Sequence, residues 1–321
     1  MPNLGIGTKF MLFLLSKASK DMYQSIVPIL FSLLESHVSG AKFTRPDQNR
    51  EEMCGMMGNL AADRRRRKGT TVRTTGRALC HDFRQHEEEP TKLGARTRYL
   101  NMPEVEMADR VCGGHRQISQ MLRNIYDRQR AGALRATADG VTGNPTLRAN
   151  ITISSTPFAA RKFYKNELFN GTFGRMVFSY KPRQGRDGRI PRQGRYGADF
   201  YQSLDEYLAR LAVCQGRFVI EPLNRLIDQL AADMASLADL TDDDTLWDIS
   251  KRALVSAWKS GCILWALNGQ AWSKPMGSMV EWLVYHDMWS KMQIFSDLLS
   301  QEADSINEAR RRGPKNPVSY T

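Results

Sequence analysis

A chain of 321 residues, 41% hydrophobic and 25% charged, has the length and balance of an ordinary globular protein with one large domain or two smaller ones. Lys and Arg number 46 against 34 Asp and Glu, a net charge of +12, and such a surplus favours polyanionic partners because each neutralised phosphate releases condensed counterions. The five cysteines are odd in number, scattered and never in a CxxC pair; this argues against a disulfide frame or a zinc site and for reduced thiols in a cytoplasmic chain.

Residues 9–36 carry apolar side chains at helical spacing, among them Phe10, Phe13, Leu14, Ile26, Ile29, Leu30, Leu33 and Leu34. They predict an amphipathic helical pair with a break or kink at Pro28. The run Phe10 to Leu15 is too short for a membrane span and lacks a small-residue cleavage site, and no later segment is apolar enough to cross a bilayer; no membrane partner is expected. Pro46-Asp47-Gln48-Asn49 predicts a turn capping a Met-rich helix from about Arg50.

The character changes at Asp63. Arg64-Arg65-Arg66-Arg67-Lys68, then Arg73, Arg77, Arg84, Lys92, Arg96 and Arg98, come with few large apolar residues, which predicts a loop over 63–96. This loop is either a phosphate-contacting arm or a solvated connector. His81 and His86 near Cys80 and Glu87 to Glu89 match no zinc spacing, so no metal ligands are assigned.

Residues 97–102 predict a strand ending at Pro103-Glu104, and 116–130 a helix with Ile118, Met121, Leu122 and Ile125 on one face. Asn150 to Thr156 predicts a buried strand with a hydroxyl-rich end, stopped by Pro157; Phe158 to Leu168 predicts a helix and Met176 to Tyr180 another strand. Strands alternating with helices predict an α/β fold with a mostly parallel sheet and ligands at the carboxyl ends of its strands. Residues 183–198 hold Arg186, Arg189, Arg192 and Arg195 among glycines, a basic linker that is also able to grip a nucleic-acid backbone.

From Asp199 to about Ile306 the pattern is helical. Trp258, Trp265 and Trp272 fall seven apart, as do Trp282 and Trp289; such stripes pack helix cores far more often than they bind bases. Asp242-Asp243-Asp244 predicts a helix N-terminal cap. The chain divides into a helical segment 1–62, a basic region 63–96, an α/β core 97–183, a linker 184–198, a helical domain 199–306 and a basic tail 307–321.

The order of parts within 97–183 is that of a ring-forming ATPase: an acidic residue after a strand, a polar residue on the next, then an arginine able to reach a neighbour's nucleotide. The segments Arg98-Tyr99-Leu100-Asn101-Met102-Pro103-Glu104, Ile125-Tyr126-Asp127-Arg128, Ile151 to Pro157 and Asn170-Gly171-Thr172-Phe173-Gly174-Arg175 resemble the uncharacterised P-loop ATPase domain of primase–helicase-like proteins from bacterial mobile elements and phages. The stretches Ser250 to Ala253, Val280 to Trp282 and His286-Asp287-Met288-Trp289 resemble that family's C-terminal region. The likeness covers most of the chain except about 63–96 and rests on the order of short motifs.

The resemblance implies a RecA-like P-loop core, incomplete here, followed by an all-α domain. It implies Glu104 as the acidic Walker B-type residue, Thr156 (or Ser155) as the γ-phosphate sensor and Arg175 as an arginine finger. It further implies DNA and a homo-oligomer as partners, with ATP and Mg²⁺ as cofactors if the chain is active. Each residue has a plainer alternative: Glu104 as a helix cap, the hydroxyls as partners of backbone groups, and Arg175 paired with an internal carboxylate or a DNA phosphate.

The chain departs from the family at the phosphate loop, which requires G-x-x-x-x-G-K-[ST]. Lys68, Gly69 and Thr70 are the remnant of such a loop and the candidate nucleotide-binding residues, but Arg64 to Arg67 stand where tight-turn glycines belong. The interval from Lys68 to the Glu104 strand is short, as if a strand and helix of the core were missing. Three readings follow: a DNA-dependent ATPase or helicase of mobile-element or phage replication, an inactive relative that binds DNA through Arg64–Lys68 and Arg183–Arg195, and a structural product whose charge is incidental.

Overall fold

A computed structural model describes residues 6–16, 18, 22–35, 37–38, 41–44, 51–52, 57–62, 98–102, 104–105, 115–127, 129, 146, 148–168, 171–182 and 197–311. Helices α1 (Ile6–Leu15) and α2 (Tyr23–Glu35) form the expected N-terminal pair, but the break lies between them and Pro28 sits inside α2. Burial of Val27, Phe31 and Leu34 offsets the ~3 kcal/mol that an interior proline costs a helix. On α1, Phe13 stacks on Phe200 with ring centroids 4.3 Å apart, so the early apolar run is packing surface.

The expected Met-rich helix after Arg50 is instead two strands, β2 (Glu51–Glu52) and β3 (Met57–Ala62). Pairing on both edges outweighs the helix propensity of Met, Leu and Ala: β3 lies between β5 (Ala149–Ser155) and β6 (Met176–Lys181). With β4 (Arg98–Met102) these make a four-stranded, all-parallel sheet in the order β4-β5-β3-β6. A second sheet joins β1 (Ala41–Thr44) to β2 antiparallel and to β7 (Gly216–Phe218) parallel.

Parallel strands are covered on both faces and therefore read as unbroken buried runs. Ala149 to Ile153 and Met176 to Ser179 are buried throughout. On one face Ser32 of α2 shares a 2.7 Å hydrogen bond with Thr152, to which the Tyr99 hydroxyl also donates at 2.9 Å. On the other face Phe178 meets Tyr164 of α4 (Pro157–Tyr164), with Phe173 of α5 (Thr172–Arg175) and Phe295 beside it at centroid distances of 4.9 to 5.2 Å. Helix α3 (His115–Tyr126) is tied to this layer through buried Ser119, which donates to the Glu167 carboxylate and shares a 2.8 Å hydrogen bond with Thr172.

Helices α6 (Ala198–Ala212), α7 (Glu221–Thr241), α8 (Asp244–Leu267) and α9 (Lys274–Arg311) bear out the helical pattern after 199, interrupted only by β7. Asp243 caps α8 by accepting from the Leu246 N–H at 2.8 Å, as the acidic run predicted, while Asp242 ends α7 in the left-handed region. Gly261 lets α7, α8 and α9 approach: a Cβ there would stand 2.7 Å from a Leu223 methyl and 3.1 Å from Val280. One continuous buried cluster runs from Phe10 to Leu299, so these helices share the core of the sheet.

Helix α9 also closes an exposed sheet edge. Among the described residues no strand lies beyond β6, so its outward N–H groups need other acceptors. Asp287 Oδ1 accepts from the Phe178 N–H at 2.7 Å and Ser290 Oγ from the Tyr180 N–H at 3.1 Å.

Candidate functional site at the carboxyl edge of the sheet

In the order β4-β5-β3-β6 the chain leaves β3 past β5 to reach β4, and leaves β5 past β3 to reach β6. Open parallel sheets take their ligands in the crevice outside the carboxyl ends of the strands, and here the ends of β3 and β5 lie side by side. Ala62 ends β3 at that edge, and Ser154, Ser155 and Thr156 close β5 beside it. Glu104 follows β4 by two residues, exposed, on the same edge. The fold therefore brings Glu104 and the hydroxyl-rich strand end to the same edge of the sheet.

The individual groups are less free than their position suggests. Thr156 is the N-cap of α4, its side chain accepting from the Ala159 N–H at 3.1 Å, with Pro157 in the first turn. Its hydroxyl thus satisfies a backbone group, the plainer of its two readings.

Arg175 stands apart from both. It immediately precedes β6, so it lies at the amino edge of the sheet, about 20 Å of strand away from the crevice. Its Nε and one terminal nitrogen donate to Asp127 at 3.2 and 2.8 Å, the other donates to the Gly171 carbonyl at 2.8 Å, and the guanidinium lies over the Tyr126 ring at 5.8 Å. An internal carboxylate is the partner the structure gives it. Within its own chain it cannot serve the crevice, and reaching a neighbour's would require breaking a bidentate, half-buried pair.

Arg64, Arg65, Arg66, Arg67, Lys68, Gly69, Thr70, Arg186, Arg189, Arg192 and Arg195 lie outside the described residues. Of the residues that the resemblance implies for a nucleotide site, Glu104 and the end of β5 are therefore the described ones at this edge. Among the described residues no group of three or more His, Cys, Asp or Glu could hold a metal ion, and no helix is long and apolar enough to cross a membrane. Cys214 and Cys262 are buried free thiols.

Sequence reasoning singled out neither of the last two residues of β6 as lining a site. Lys181 pairs in register with Ala62, next to the crevice, and Tyr180 precedes it. Both face the Trp282, Tyr285, His286, Trp289 side of α9, whose i, i+3, i+4, i+7 spacing was a legible signal. His286 Nε2 lies 2.9 Å from Ser179 Oγ, and its ring stacks on Trp282 at 4.7 Å.

Burial holds the His286 imidazole down at about 4, below the ordinary 6.5. Between those values the unfolded chain binds the extra proton and the folded chain does not, so the stability present above pH 6.5 is lost as the pH falls toward 4. About 2 kcal/mol of it should be gone by roughly pH 5. In urea melts at neutral and mildly acid pH, His286→Gln should lose about 2 kcal/mol less than the parent on acidification. Equal losses would mean that His286 is hydrated in the folded state.

Comparison with family models, curated proteins and solved structures finds no match to this chain.

Proposed function

We propose that the chain is a DNA-associated, P-loop ATPase-like protein with a RecA-like core, related to helicases or primase-helicases and acting in the cytoplasm in replication of mobile-element or phage DNA. The observation that carries this reading is the all-parallel sheet, whose inner strand β3 shortly precedes Lys68-Gly69-Thr70 in the sequence. Glu104 and the end of β5 lie at the carboxyl edge of that sheet. In that layout Glu104 orients water or Mg²⁺ beside a bound nucleotide, and the surplus of +12 attracts the DNA backbone.

A second reading is favoured by two specific contacts. The Thr156 hydroxyl is engaged as a helix cap and Arg175 is held by Asp127, so two of the three catalytic candidates already have structural work. On this reading the fold persists as a DNA-binding or accessory protein without turnover.

ATP hydrolysis by the purified chain, with and without single-stranded DNA, separates the two. On the first reading DNA stimulates turnover, and Glu104→Gln lowers it by about a hundredfold or more while nucleotide affinity changes little. Absence of turnover in the parent, with salt-sensitive DNA binding retained, would replace the first reading by the second.

A further inference from the structure

Trp258 and Trp289 have opposite fates: Trp258 is 1% exposed in the core, whereas Trp289 is 40% and Tyr285 46% exposed on one face of α9. With Trp282 and His286 they form one wall of a cleft of about 320 Å³, and Tyr180 and Lys181 at the end of β6 form the other. The rings are held at graded tilts: Trp289 lies 5.7 Å from His286 and 5.7 Å from Tyr180, with interplanar angles of 38° and 47°. Scattered exposed apolar side chains need no explanation, but four aromatic side chains and an imidazole converging on one cleft are a built surface.

The charge of the cleft points to what it takes. Lys181 is the one formally charged side chain among the described residues that line it, and no carboxylate does. The sequence leaving it at Pro182 continues Arg183-Gln184-Gly185-Arg186. Planar rings beside a lysine suit an unpaired base and its phosphate. The cleft also adjoins the crevice, because Lys181 and Ala62 are in register.

We propose that this cleft binds single-stranded DNA, stacking an unpaired base against Trp289 and Tyr285 with Lys181 beside its phosphate. The proposal rests on the DNA reading above and names where the strand is held. A strand seated there passes the mouth of the nucleotide crevice, so a DNA-dependent step could sense it without any contact to Glu104.

The test is fluorescence anisotropy of a labelled oligothymidylate with the full chain over a range of salt concentrations. Trp289→Ala should weaken binding by between about fivefold and a hundredfold, and Tyr285→Ala by a similar factor, while Trp289→Phe stays within about threefold. None of these should change the salt dependence, whereas Lys181→Gln should reduce the slope of log K against log salt by about 0.7. Matching thermal melts establish that the variants are folded. Unchanged affinity in both Trp289→Ala and Tyr285→Ala, beside a parent that binds, would overturn the cleft and leave the DNA reading standing. A parent that binds no oligothymidylate would overturn both. Loss of self-association in sedimentation, with DNA affinity intact, would assign the face to a second copy of the chain. Weakened binding of free ATP without weakened DNA binding would assign it to a nucleotide.

Discussion

Asp287→Ala should lower the unfolding free energy by about 3–5 kcal/mol, because it strands a buried ammonium and an edge-strand N–H at once. Lys291 is 0% exposed and donates to Asp287 Oδ2 at 2.7 Å, while Asp287 Oδ1 accepts from the Phe178 N–H at 2.7 Å. The Lys291 ammonium also lies 5.6 Å from the Phe173 ring centroid and 5.9 Å from that of Phe178. Burial pushes the Asp287 carboxyl above its usual range, against the opposing pull of Lys291 and the Phe178 N–H. Lys291→Met should therefore cost less than Asp287→Ala, since the orphaned carboxyl can take a proton. The double variant Asp287→Asn/Lys291→Met keeps an acceptor for Phe178 and removes both charges, so it should recover most of the loss. Denaturant unfolding curves at neutral pH measure all three. A loss below about 1 kcal/mol for Asp287→Ala would mean that water reaches the pair.

Trp258→Ala should be comparably damaging, by about 3–5 kcal/mol. The indole is among the largest fully buried side chains, and it stands on the buried face of α8. Its Nε1 donates to Asn224 Oδ1 at 2.9 Å. Trp258→Phe refills much of the volume but leaves the Asn224 oxygen without that donor, and should cost about 1–3 kcal/mol. Trp289→Ala should by contrast leave stability within about 1 kcal/mol, being a surface change. If Trp258→Ala and Trp289→Ala melted alike, the assignment of one ring to the core and the other to the cleft would fail.

These two tryptophans show where sequence reading ran out. Both sit in stripes of seven-residue spacing, which favoured core for each. The period states which residues share a helix face, but not what lies opposite that face. Trp258 is buried against α7, where its indole bonds to Asn224; Trp289 faces the end of an edge strand, a position that depends on where β6 falls in the sheet. Arg175 is similar. Its place after Gly171-Thr172-Phe173-Gly174 was legible, whereas Asp127, the carboxylate that holds it, is 48 residues away in sequence. Thr156 was legible in the stronger sense, since a threonine before Pro157 at the end of a β-rich run is itself an N-cap signal.

The sequence by itself determined the local alphabet of this protein: three strands and two helices within 97–183, the helical character after 199, the cap at Asp243 and the surplus of positive charge. Those follow from periodicity, hydroxyl and proline placement and composition, which act over a few residues. Only the tertiary structure decided that 57–62 is the central strand, that Pro28 lies within a helix, that Asp287 and Lys291 seal the edge of β6, and that Lys181 meets an aromatic face from a hundred residues away. Strand order and the burial of a charged pair depend on long-range packing, where hydrogen bonds to two neighbouring strands or a shared core outweigh the few tenths of a kcal/mol by which local propensities differ.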